Sequence, residues 1–139
     1  MDNNLKWLRL PAEMASLGPF TDFVRGGARA AGFAENALGK VDLILEEVVA
    51  NVFLHAYPEG QAGVAAVGYL VSGPGSLDVE VRDSGLAFNP LDAPDPDFNL
   101  SLENRPIGGL GVFLVKTLAE SVAYERKDGE NVLSFRVKP

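Results

Sequence analysis

Apolar residues between Val41 and Ala56 recur at helical spacing. Val41, Leu45, Val48, Val49, Val52 and Ala56 gather on one arc when about 100° is allowed per residue. The pattern predicts a helix that starts near Glu35 or Ala37 and runs to Tyr57, where Pro58 stops it. Downstream the period drops to two. Leu77, Val79 and Val81 alternate with Asp78, Glu80 and Arg82, as in a half-buried strand. That strand, Leu77 to Arg82, forms a hairpin with Gln61 to Val71 over Ser72-Gly73-Pro74-Gly75-Ser76. A second hairpin joins Val122 to Arg126 with Val132 to Val137 through Asp128-Gly129, a strong tight-turn dipeptide. Leu5 to Leu10 reads as the first strand, ended by Pro11. A helix follows and stops by Gly32. Its start is open, because Gly18-Pro19 either breaks an early turn or marks a later beginning. Phe20, Phe23 and Val24 then face the core.

Strands and helices in this order predict an α+β two-layer sandwich: a mixed, mainly antiparallel sheet with helices on one face. No repeat is visible, and 139 residues give a length prior of a single domain over 1–139. One stretch has no clear periodicity. Asn89 to Ile107 carries Pro90, Pro94, Pro96 and Pro106 among the acids Asp92, Asp95, Asp97 and Glu103. A segment that long is functional or a plain surface loop. Its position suggests a lid, approximately 89–107.

The chemistry starts on the long helix. Counted from Glu47, Asn51 falls near 40° and His55 near 80°, so the three share a stripe along the rim of the apolar arc. A carboxamide oxygen is a hard, neutral ligand suited to Mg²⁺, which draws its remaining oxygens from water and phosphate. A Glu one turn away, ~6 Å along the axis, can orient or deprotonate a hydroxyl attacking a terminal phosphate. An ordinary amphipathic helix would show the same letters. Two later blocks change the odds. The Leu77 strand ends on Asp83-Ser84-Gly85, where a carboxylate could accept from an exocyclic amine such as that of adenine. Taken alone, that string is also an ordinary turn. Gly108-Gly109-Leu110-Gly111 then opens the helix continuing through Val112 to Leu118, and its free backbone N–H groups suit phosphate. Neither G-x-x-x-x-G-K-[ST] nor a post-strand G-x-G-x-x-G is present.

Together the strings Glu47 to Tyr57, Asp83 to Pro90 and Gly109 to Lys116 resemble the N, G1 and G2 boxes of the GHKL ATPase superfamily. Within it the chain looks most like the small bacterial anti-sigma-factor serine/threonine kinases. The resemblance implies ATP and Mg²⁺, with Glu47 as general base and Asn51 as the metal ligand. It implies Asp83 on the adenine amine with Gly85 beside the base, Gly109 and Gly111 along the phosphates, and Arg105 as a lid residue reaching phosphate. It also implies a homodimer that sequesters a sigma factor and phosphorylates an anti-anti-sigma (STAS) protein. The alternatives are a nucleotide-gated binding module without phosphotransfer, or a switch kinase acting on another signalling scaffold. One departure stands out: Ala87-Phe88 replaces the second glycine of D-x-G-x-G, a form common in the anti-sigma branch.

Charge and composition narrow the partners. A formal charge of −7 without a Lys or Arg run argues against a nucleic-acid surface. No apolar run approaches the ~18 residues of a membrane span, and Met1-Asp2-Asn3-Asn4 lacks the basic start of a signal peptide. A cytoplasmic location with a protein partner is expected. With no cysteine to complete a zinc site, the lone His55 is expected to make a structural hydrogen bond near the pocket.

Overall fold

The computed structural model describes residues 4–59, 61–92 and 110–139. In chain order these form β1 (Lys6–Pro11), α1 (Leu17–Ala30), α2 (Leu38–His55), β2 (Val64–Val71), β3 (Leu77–Asp83), α3 (Leu110–Leu118), β4 (Ser121–Lys127) and β5 (Glu130–Val137). The strands make one sheet in the order β1-β2-β3-β5-β4, and each of its pairings is antiparallel. The mixed character expected of the sheet is therefore absent from the described pairings. β5 lies between β3 and β4, so the crossover through α3 brings no parallel strands side by side.

The helices cover one face of this sheet and share its core. Phe20 and Val24 of α1, Leu45 and Val49 of α2, and Val67 and Val81 of the sheet are buried together. Inward residues alternate along β3, where Leu77, Val79, Val81 and Asp83 are buried between half-exposed neighbours. Among the described residues no helix is long and apolar enough to cross a membrane.

Several boundaries differ from the sequence reading, three of them around α2. Glu35–Ala37 forms a 3-10 turn, and the α-helix proper begins at Leu38. At its other end Tyr57 has left the helix. Its hydroxyl donates to the Val64 carbonyl (2.7 Å) and accepts from the Ser84 N–H (3.0 Å). Gln61 donates its N–H to Pro58 in a turn (3.0 Å), which delays β2 until Val64. The Asp128-Gly129 turn has φ values of 52° and 79°, the left-handed pair that a tight hairpin requires.

Candidate functional site

Asp83 is the last residue of β3 and continues its inward period, so strand geometry carries a carboxylate into the core layer. It is 4% exposed. Its Oδ1 accepts from the Gly85 N–H and from Asn131 Nδ2, each at 2.9 Å. No hydrogen bond from a described residue reaches its Oδ2. Asp83 lines a cavity between α2 and the sheet. Burial raises the Asp83 pKa, opposed by the hydrogen bonds from Asn131 and Gly85 and by the nearby Arg126 charge.

That cavity is walled by Val48 and Val52 of α2, Phe88, and Leu133 of β5, with Asn51, Asp83, Tyr124 and Asn131 as its polar side chains. Apolar walls around an open acceptor suit a flat base carrying an amine. The loop after β3 closes against the end of α2. Leu86 donates its N–H to the Ala56 carbonyl (2.7 Å), which a helix end leaves without a helical partner. A Cβ at Gly85 would lie 2.1 Å from that same oxygen, so only glycine allows this approach.

Asn131 organises the loop from the other side. It stands opposite Asp83 in the β3–β5 register. Its Nδ2 donates to Asp83 and to the Leu86 carbonyl (2.7 Å), while its Oδ1 accepts from the Phe88 N–H (3.1 Å) and the Tyr124 hydroxyl. Arg126 Nη1 adds a bond to the Gly85 carbonyl (2.8 Å). Sequence reasoning missed Asn131, Tyr124 and Arg126 as parts of this site. A signal did exist: Asn131 continues the inward period of Leu133, Phe135 and Val137, where an asparagine is out of place.

Asn51 lines the cavity with Asp83. Glu47 lies one turn back, and its carboxylate rests against Gly111 at the start of α3. Neither side chain makes a hydrogen bond to a described residue. His55 corrects the reading. It is exposed and, instead of a hydrogen bond, makes a ring contact with Phe88 (centroids 5.1 Å, planes 36° apart).

Arg105 and Gly109 lie outside the described residues, as does the expected lid from residue 93 onward. Its first residues form a 3-10 turn, Pro90–Asp92, started by the Leu91 N–H donating to Asn89 Oδ1 (2.9 Å). Among the described residues no group of three or more His, Cys, Asp or Glu could hold an ion. A single carboxamide oxygen is compatible with Mg²⁺, which draws most of its ligands from phosphate and water.

A two-layer fold with a carboxylate at the end of a central strand and an open carboxamide on the covering helix defines a class. The chain belongs to the histidine kinase-like ATPase domains, whose family profile matches residues 10–137. The GHKL resemblance of its motifs stands. Among individual proteins it is similar to serine-protein kinase RsbW of Listeria monocytogenes serovar 1/2a, at 32% identity over 132 residues, 91% of this chain and 82% of that protein. It is likewise similar to serine-protein kinase RsbW of Bacillus mycoides, at 26% identity over 130 residues, 91% of this chain and 80% of that protein.

Proposed function

We propose that this chain is an ATP- and Mg²⁺-dependent serine/threonine protein kinase. Its acceptor would be a serine or threonine of an anti-anti-sigma (STAS) protein, and its other partner a sigma factor that it sequesters, acting as a cytoplasmic homodimer. The observation that carries the reading is the shared cavity of Asp83 and Asn51, with Glu47 one helical turn beyond it. The similarity to proteins named serine-protein kinase supports the same activity.

Each residue then has a distinct task. Asp83 Oδ2 accepts from the adenine amine, and Gly85 keeps the loop close beside the base. Asn51 offers its carboxamide oxygen to Mg²⁺, which when bound offsets phosphate charge. Gly109, Gly111 and Arg105 are assigned to the phosphates. Glu47 receives the proton of the acceptor hydroxyl as that oxygen bonds the terminal phosphorus and the bridging bond to the leaving diphosphate breaks. The proton passes from Glu47 to water.

The test is transfer of label from γ-labelled ATP to a candidate STAS-domain protein, followed by identification of the modified residue. Label on a serine or threonine supports the kinase. Tight ATP binding with no label on the partner contradicts it and favours a nucleotide-gated binding module. Label on a different scaffold redirects the partner assignment alone.

A further inference from the structure

Gly111 is the second residue of α3, and it needs no glycine for its backbone. The left-handed glycines among the described residues are Gly32, Gly73, Gly75 and Gly129, and Gly111 is not one of them. Glycine weakens a helix, so its presence here calls for a steric reason. That reason is Glu47. A Cβ at position 111 would lie 2.0 Å from Glu47 Oε2, 2.7 Å from its Cδ and 3.4 Å from its Cγ. These three nearest atoms all belong to Glu47. The missing side chain of Gly111 is thus the seat of the Glu47 carboxylate.

We infer that Gly111 is a positioning residue for the proposed general base: it shapes the seam between α2 and α3 so that the Glu47 carboxylate has one place to lie. The inference rests on the general-base reading above. No hydrogen bond from a described residue fixes that carboxylate, and the close approach to Gly111 is the restraint on it that the structure shows. The obstacle created by Gly111→Ala is the tip of one flexible side chain. Glu47 can swing away, leaving the fold intact and the base misplaced. Gly85 is the opposite case, since its added Cβ would strike the Ala56 backbone. A displacement of about 1 Å at a reacting group can lower a rate on the order of 10²-fold.

The experiment compares the parent, Gly111→Ala, Glu47→Gln and the double variant. It reads MgATP affinity by calorimetry, the maximal transfer rate to the STAS-domain protein, thermal stability, and the nucleotide-free crystal structure of Gly111→Ala. Expected are a melting point within a few degrees of the parent, a displaced Glu47 carboxylate, and a transfer rate down on the order of 10²-fold. Because Gly111 is also assigned to the phosphates, MgATP affinity is expected to fall as well, and the positioning role is read from the maximal rate at saturating MgATP. Adding Gly111→Ala to Glu47→Gln should cost little more, because the group being positioned is already disabled. If Glu47→Gln itself transfers at the parent's rate, the general-base reading fails and takes the inference with it. If Glu47→Gln is slow but Gly111→Ala keeps the parent's maximal rate, or leaves the Glu47 carboxylate where it lies in the parent, the general base survives and the positioning role is overturned.

Discussion

Asp83 and Glu47 are both carboxylates beside α2, yet they are held in opposite ways. Asp83 is buried and fixed through one oxygen by Gly85 and Asn131, and Asn131 in turn is tied to Leu86, Phe88 and Tyr124. Glu47 is half-exposed and has no hydrogen bond to a described residue; its carboxylate lies against Gly111. The strand end is rigid by hydrogen bonding, whereas the helix seam relies on shape. A base-recognition pocket benefits from being built before the ligand arrives, since preorganisation removes ordering cost from binding. A group that receives a proton must stay accessible to the reacting hydroxyl and to water. The contrast therefore divides the proposed site into a binding end and a chemical end.

The sharpest way to break that division is at the chemical end. Glu47→Gln keeps the side chain's size and removes its basicity. It should lower phosphate transfer by about 10²–10⁴-fold while MgATP affinity stays near the parent's. A parallel fall in affinity would mean that Glu47 belongs to the binding end.

Asp83→Asn attacks the other end. The new Oδ1 can still accept from Gly85 and Asn131, so the fold should hold, but a donor now faces the adenine amine. ATP affinity should fall by about 10–10²-fold, corresponding to ~1–3 kcal/mol for an unpaired polar group, with the preference for ATP over GTP lost. The same variant carries a pH signature. Burial raises the folded-state pKa of Asp83 above 3.8, so its proton is held more tightly folded than unfolded. The associated stability is present below about 3.8 and is lost as pH rises through the folded pKa. Asp83→Asn lacks this loss. Its stability relative to the parent should improve from acid toward neutral pH, as read by urea unfolding at several pH values.

Asn131→Ala leaves the Leu86 carbonyl, the Phe88 N–H and the Tyr124 hydroxyl without their partner. It should destabilise the fold by ~1–3 kcal/mol and weaken ATP binding through a loosened loop. An unchanged denaturation midpoint would show that Asn131 does not organise the binding end. The smallest effect is expected from Tyr57→Phe. That change removes one hydroxyl bridging Val64 and Ser84 and should cost ~0.5–1.5 kcal/mol, with transfer by bound ATP unaltered.

What the sequence made legible follows from periodicity. The 3.6-residue stripe put Asn51 beside the buried face of α2, and the period of two put Asp83 inward at the end of β3; the cavity joins them. Partners set by strand order were out of reach. Asn131 faces Asp83 only because β5 inserts between β3 and β4, and reading that strand from Val132 left Asn131 outside it. The mixed sheet was expected for the same reason. Tyr57 was assigned to the helix because its hydroxyl's partners lie on other elements. The Glu47–Gly111 contact depends on how α2 meets α3, which no single-element pattern encodes. His55 shared the helical stripe, but its neighbour Phe88 comes from a loop.

Adenosine, which has the base and ribose but no phosphate, tests the division most directly. Backbone amide resonances of the protein would be followed during titration with adenosine, then with MgATP. Adenosine alone should shift the resonances of Asp83 to Phe88 and Asn131 and leave those of Glu47 and Gly111 in place, which should move only with MgATP. Movement of both groups with adenosine, or of neither, would contradict a site divided into a prebuilt binding end and a separate chemical end.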